Sequence, residues 1–415
     1  MMQYVIIGNG VAAAGCIEGI RSVDKDGNIV VISGENHPVY CRPLISYYLE
    51  GKTSLEKMNY RGSDFYEAMN CKVIYGRKAA SINTEEKTVT LDDCSEISYD
   101  CICVAVGSSP FVPPFAGLEA VEKKFSFMTL DDTLTLESAV DKNSRVLIVG
   151  AGLIGLKCAE GLRDRVESIT VCDLADRVLS SILDNECAAI MQKQLESNGI
   201  RFMLGDSAQR FDGNKAIMRS GREVEFDVLV LAVGIRANTS LVKEIGGNVN
   251  RGILINQKME TTVPNVYAAG DCTEGEDISL GSKRVLAILP NAYMQGKCAG
   301  INMAGGIAVH NKAIPMNSIG FFGLHAMTAG SYFGEAEGGN MFEERGDGTL
   351  KRFFTKDGLL TGFILIGNVE RAGIYTSLIR ERTPLDSIDF EMLKKAASLA
   401  AMPKENRSKK LGGVV

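Results

Sequence analysis

The stretch that most constrains this chain is Arg145 to Glu160, RVLIVGAGLIGLKCAE. Val146 to Val149 is an apolar run of strand length, Gly150, Gly152 and Gly155 are spaced G-x-G-x-x-G, and Leu156 to Leu162 continues at helical spacing. A strand therefore runs through a tight glycine turn into a helix. The first glycine permits the turn, the second lets a pyrophosphate reach backbone N–H groups at the positive end of the helix, and the third lets helix and strand pack closely. A second strand, Ser168 to Cys172, ends at Asp173, a carboxylate spaced to accept hydrogen bonds from a ribose diol. The glycines alone would also fit an ordinary α/β turn; the strand and acid that follow point to a dinucleotide.

The pattern occurs twice. Tyr4 to Ile7 leads into Gly8-Asn9-Gly10-Val11-Ala12-Ala13, the same fingerprint with Ala13 at the third glycine position, and then a helix through Ile20. The next strand, Asn28 to Ile32, precedes Glu35, which is either the ribose carboxylate of this unit or a plain exposed loop acid. Both units close alike, on strands ending in Ala105-Val106-Gly107 and Ala232-Val233-Gly234, so the strand ends of both are expected to meet at a ligand crevice. Pro110, Pro113 and Pro114 mark the crossing between the units. A later strand, Asn265 to Ala269, ends in Gly270-Asp271, and Pro290-Asn291-Ala292 begins a helix carrying Gln295 and Gly296. The remainder has strands such as Gly320 to Gly323 and Leu360 to Ile366, with helices from Arg371 and from Phe390; Phe321-Phe322 reads as core rather than interface.

The expected fold is α/β: two Rossmann-like dinucleotide-binding domains and a smaller α+β C-terminal domain. The first domain takes residues 1–113 and 241–306, the second 114–240 and the third 307–402; the polar, glycine-ended tail 403–415 is expected to be mobile. A length of 415 residues suits two or three domains, and a net charge of −6 without a basic, aromatic-studded patch argues against nucleic acid or an anionic membrane. No apolar run reaches spanning length, and the N-terminus enters its strand directly, so a cytoplasmic protein is expected. The eleven cysteines are scattered and never spaced C-x-x-C, which favours reduced, mostly buried thiols. The three histidines, His37, His310 and His325, are too separated for a metal cluster, and no metal is expected.

Taken in order, G-N-G, R-P-L, A-V-G, G-A-G-L-I-G, A-V-G and A-G-D resemble the FAD-dependent pyridine nucleotide-disulfide oxidoreductase superfamily. Within it the chain looks similar to NADH–rubredoxin reductases, ferredoxin reductases and the flavin domain of assimilatory nitrite reductases. The resemblance implies FAD and NADH as cofactors. It puts Gly8, Gly10 and Glu35 on the adenosine half of FAD, with Ala13, Ala105, Gly107 and Gly270 around them. Arg42 and Pro43 would lie beside the flavin, Asp271 at the ribityl-phosphate region, and the helix starting at Asn291 and Ala292 would face the flavin pyrimidine ring, where its positive end favours the charge of a reduced flavin. Gly150, Gly152, Gly155, Asp173 and Gly234 would serve NADH. Asp173 repels a 2′-phosphate, so NADH is expected over NADPH, although Arg177 lies four residues on.

The departures matter equally. Thiol-active relatives carry C-x-x-x-x-C, C-x-x-C or a single cysteine that would align near Pro43; here Cys41 is displaced by two residues. Many relatives also pair a lysine with a glutamate near flavin N5, and those positions hold Tyr47 and Lys157. Either Lys157 supplies positive charge near the flavin or nicotinamide with Tyr47 beside it, or it snorkels to solvent. The implied activity is electron transfer from NADH through FAD, without a redox disulfide, to a small redox protein such as rubredoxin or ferredoxin. Two alternatives stay open: a flavin subunit of a larger iron–sulfur or molybdenum/tungsten complex, or an NADH-responsive flavoprotein acting by partner binding. Relatives dimerise through the C-terminal portion, which leaves a homodimer open.

Overall fold

The computed structural model of the chain describes residues 1–411. Around the first fingerprint, five strands form a parallel sheet in the spatial order Val266–Ala268, Cys101–Val104, Gln3–Ile7, Asn28–Ser33, Cys71–Tyr75. Their near-continuous apolar sequences follow from burial on both faces, and Ile6, Val31 and Cys103, in register across three strands, are fully buried. The Val266–Ala268 strand joins this sheet only after the whole second unit has been traversed.

The second sheet repeats the scheme, in the order Ile200–Leu204, Ser168–Asp173, Arg145–Val149, Val228–Leu231, Lys124–Phe125, again all parallel. In both sheets the fingerprint strand lies between the second strand of its unit and the strand that closes the unit, which is the switch point where α/β folds open a crevice. Each unit also inserts a three-stranded antiparallel meander before its closing strand, Ala79–Asn83 to Glu96–Ser98 in one and Ala208–Asp212 to Glu223–Glu225 in the other. The internal repeat read from the glycines is thus a repeat of architecture.

Helix Leu289–Met303 packs along helix Val11–Val23 at a spacing that only glycine allows: a Cβ on Gly296 would lie 1.9 Å from the Ala12 carbonyl oxygen. The middle of the later helix is thereby tied to the helix that follows the first glycine turn.

The chain separates into two compact units. One holds both parallel sheets, over Met1–Val178, Gly199–Glu276 and Lys283–Asn311; the other takes Leu179–Asn198, Asp277–Ser282 and the chain from Lys312. The second contains an antiparallel sheet ordered Met316–Phe321, Leu324–Gly330, Leu359–Ile366, Thr349–Lys356, Asn340–Gly346, with Phe353, Phe363 and Tyr375 in its core. Helix Asn185–Ser197 belongs to this unit because Arg352, 11% exposed, pairs with Asp184 at 2.6 Å, with Glu186 and with Glu343. Residues 320–323, expected as a strand, instead end one strand and turn into the next; Phe322 takes a φ of +48° and Gly323 a φ of +85°. Phe321 is fully buried core. In the tail expected to be mobile, Lys404–Leu411 forms a helix, and residues 412–415 lie outside the described residues.

Candidate functional site

The two glycine turns have the same geometry. Gly8 has a φ of +108° and an added Cβ would sit 2.2 Å from the Ala105 oxygen; Gly150 has a φ of +120° and its Cβ would sit 2.2 Å from the Ala232 oxygen. Neither position accepts an L side chain, because each turn crosses the end of its unit's closing strand. Gly10 and Gly152 differ: both are extended, at φ −88° and −80°, and a Cβ on either meets nothing within 4 Å. That open space lies at the start of helices Val11–Val23 and Leu153–Leu162, neither of which has a side-chain cap, so first-turn N–H groups are left to a ligand. Two such cradles fit two dinucleotides. Gly155 closes against the Gly150 oxygen, 2.1 Å from its would-be Cβ, and the equivalent Ala13 is fully buried.

The acids at the two second strands are held differently. In Glu35 one carboxylate oxygen accepts from Arg42 Nη2 at 2.8 Å and the other from Tyr40 Oη at 2.7 Å, so it is not a free loop acid. Arg42 also donates to the Met128 carbonyl and the Tyr40 hydroxyl accepts from Leu130 N–H, which binds this cluster to the beginning of the second unit. Asp173 accepts from Ala151 N–H at 2.7 Å and Ala175 N–H at 2.8 Å, backbone partners at its own glycine turn and loop. Arg177 pairs with Asp176 at 3.0 Å.

On the flavin side of the resemblance, Gln295 accepts the Gly270 N–H at 2.8 Å and pins the Gly270-Asp271 turn to helix Leu289–Met303. Burial raises the Asp271 carboxyl above its ordinary range, with Arg42 pulling it back. Asn291, 2% exposed in the first turn of that helix, donates from Nδ2 to the Leu286 oxygen, and its Oδ1 faces His310 Nε2 at 2.9 Å. Since an amide oxygen only accepts, the imidazole proton sits on Nε2. The sequence marks His310 only as too far from the other histidines for a metal cluster, and its 19-residue separation from Asn291 gives no local signal of this pairing.

Lys157 and Tyr47 come together. The Lys157 ammonium lies 5.1 Å from the centre of the Tyr47 ring and 2.6 Å from Glu160 Oε2, with side chains 16% and 6% exposed for Lys157 and Glu160. Lys157 therefore does not snorkel to solvent. Segment Ile45–Leu49 packs on helix Leu153–Leu162, a Cβ on Gly161 lying 3.0 Å from the Ser46 oxygen, so the pair sits where the two dinucleotide-binding units meet, inside the first compact unit. All eleven cysteines are free, and burial pushes the Cys41 thiol up, away from a reactive thiolate. No group of three metal-capable side chains occurs among the described residues, and none of their helices is long and apolar enough to cross a membrane.

Paired parallel sheets with paired pyrophosphate cradles define a protein with two dinucleotide sites. Residues 2–296 match the family model described as pyridine nucleotide-disulphide oxidoreductase, and the chain belongs to that family. It is an NADH-dependent oxidoreductase whose cofactors are FAD and NADH. It is 32% identical over 394 residues to the epsilon subunit of NADH-dependent phenylglyoxylate dehydrogenase from Aromatoleum evansii, with 92% of each chain covered. It is 31% identical to nitrite reductase [NAD(P)H] from Bacillus subtilis, spanning 92% of this chain but only 48% of that relative. Among solved structures, putidaredoxin reductase in its covalent complex with putidaredoxin superposes with a TM-score of 0.86 at 21% identity, covering 100% of this chain and 99% of that one.

Proposed function

We propose that this protein takes electrons from NADH onto FAD and delivers them to a protein redox partner without a thiol relay. The observation that carries this reading is the pair of open glycine cradles in a chain whose cysteines are all free, with burial pushing the Cys41 thiol up. FAD bound at its cradle would supply the two-electron hydride chemistry that oxidises NADH to NAD⁺. The chain's own part is binding, orientation and charge. Gly8, Gly10, Glu35 and Arg42-Pro43 serve FAD, as do Ala105, Gly107, Gly270-Asp271 and Asn291-Ala292. Gly150, Gly152, Gly155, Asp173 and Gly234 serve NADH, and Lys157 with Tyr47 places a cation where the two cofactors meet. Free thiols suit a reducing, cytoplasmic setting.

The acceptor we favour is a small redox protein such as rubredoxin or ferredoxin. One specific observation favours a second reading, an electron-entry subunit of a larger complex: the equal-length relative is itself a subunit of a dehydrogenase. Anaerobic stopped-flow with NADH, then NADPH, followed by rubredoxin, ferredoxin and oxygen separates these. Fast bleaching by NADH with rapid reoxidation by one carrier supports the first reading. Fast bleaching with slow reoxidation by all three supports the second, and no bleaching by either nucleotide overturns both.

A further inference from the structure

The two units are stitched together at the ends of their closing strands. Ser108–Pro110, which follows the Ala105-Val106-Gly107 turn, pairs antiparallel with Ile235–Ala237, which follows Gly234. The exchange is reciprocal: Phe111 N–H donates to the Gly234 oxygen at 2.9 Å, and Asn238 N–H donates to the Gly107 oxygen at 3.0 Å. Asn238 then adds two bonds from its side chain, Nδ2 to the Val106 oxygen at 2.9 Å and Oδ1 accepting the Ser109 hydroxyl at 2.7 Å. The Arg236 guanidinium lies 4.0 Å from the Phe111 ring centre across the same ribbon. A two-stranded ribbon has little rigidity of its own. Asn238 thus fastens the second unit to the crevice turn of the first and the strand after it by three hydrogen bonds, one from its backbone N–H and two through its side-chain amide.

We propose that Asn238 is a positioning residue for hydride transfer: by locking the Val106-Gly107 turn to the strand that leaves Gly234, it fixes the distance between the nicotinamide held by one unit and the flavin held by the other. This rests on the reading that both cofactors meet at these strand ends. Transfer needs reacting atoms about 3–3.5 Å apart, and a misplacement of about 1 Å costs on the order of a hundredfold in rate. A clamp that lies outside the first turns of the two fingerprint helices would then govern the rate more than cofactor affinity.

The test is single-turnover reduction of the FAD-loaded protein by NADH. Asn238→Ala is expected to lower the rate at saturating NADH at least tenfold, while half-saturation by NADH and FAD per chain stay within twofold of wild type. Ser109→Ala, which removes one bond only, is expected to slow reduction by a smaller factor, and the double variant should be no slower than Asn238→Ala because both act through one amide. Wild-type rates in Asn238→Ala, a rate loss that merely tracks FAD loss or weaker NADH saturation, or multiplied effects in the double variant would each overturn the proposal. Should Asn238→Ala not fold, an unchanged rate in Ser109→Ala overturns it. Wild-type protein that NADH fails to bleach would instead defeat the functional reading itself.

Discussion

Gly150 and Gly152 stand two residues apart, and their alanine variants are expected to fail in opposite ways. At Gly150 the backbone is at φ +120°, where an L side chain costs about 1–3 kcal/mol in strain, and the new methyl would lie 2.2 Å from the Ala232 oxygen, so the turn or the closing strand must move as well. Against a total stability on the order of 5–15 kcal/mol, Gly150→Ala should give protein that melts much earlier or does not accumulate. At Gly152 the backbone is ordinary for any residue and the methyl meets no protein atom within 4 Å. Losing glycine at a helix N-cap costs about 0.5–1 kcal/mol, and the stiffer unfolded chain returns about 0.4–1 kcal/mol, so the fold is nearly indifferent. The ligand is not: the methyl fills the approach to first-turn N–H groups, and each lost hydrogen bond to a charged phosphate is worth about 1.5–3 kcal/mol. Gly152→Ala should therefore keep its FAD and its melting temperature yet need at least about tenfold more NADH for half-maximal flavin bleaching, tenfold being about 1.4 kcal/mol. Unchanged NADH saturation in Gly152→Ala, or wild-type melting in Gly150→Ala, would refute this assignment of the two glycines.

Lys157→Met should slow flavin reduction by NADH and lower the flavin midpoint potential, by removing the cation held between Glu160 and Tyr47; unchanged rate and potential would remove Lys157 from the mechanism. Cys41→Ser should oxidise NADH at the wild-type rate, and iodoacetamide at pH 7 should leave the wild-type protein active, because burial keeps that thiol protonated. In the second compact unit, burial works to raise the Asp184 carboxyl, but the Cys187 N–H and Arg352 outweigh it; burial likewise opposes Arg352 and Arg345 at Glu343, and both acids end below their ordinary range. A depressed folded-state pKa gives stability that is present above the unfolded value, about 4, and is lost as pH falls through the folded value. Amide protection factors, taken against the intrinsic exchange rate at each pH, should therefore fall in strands Thr349–Lys356 and Leu359–Ile366 as pH drops below about 4, and Arg352→Met should remove most of that dependence; pH-independent protection in wild type would contradict it.

What the sequence made legible is what backbone sterics dictate locally. Gly8 and Gly150 can be recognised because nothing else fits a positive φ against a carbonyl, and the strand order follows because each glycine turn must be answered by a closing strand. The Lys157–Glu160 pair is also legible in the sequence, since residues three apart share a helix face. Contacts set by tertiary packing left no such trace. The buried stripe Cys187, Ala188, Met191 and Leu195 says that helix Asn185–Ser197 covers something, not that it is grouped with the C-terminal sheet and separated from its own neighbours in sequence. His310 and Asn291, or Tyr40 and Leu130, are 19 and 90 residues apart and meet only once the strands are in place.

The two units share a frame and differ in how it is secured, and the difference matches the cofactors. Glu35 is held by side chains, Tyr40 and Arg42, that also grip Leu130 and Met128 of the following unit; disturbing that carboxylate disturbs the tertiary structure. Among the described residues the Asp173 carboxylate is held by backbone N–H groups of its own turn and loop, so its oxygens can exchange partners while the surrounding fold stays as it is. A cofactor that stays for the life of the enzyme can be built into long-range structure, whereas one that leaves at every turnover needs a site that opens at small cost. This fits our proposal that Glu35 serves a resident FAD and Asp173 an exchanging NADH. Opening costs least where the contacts are few and local, and Asp173 sits at such a place.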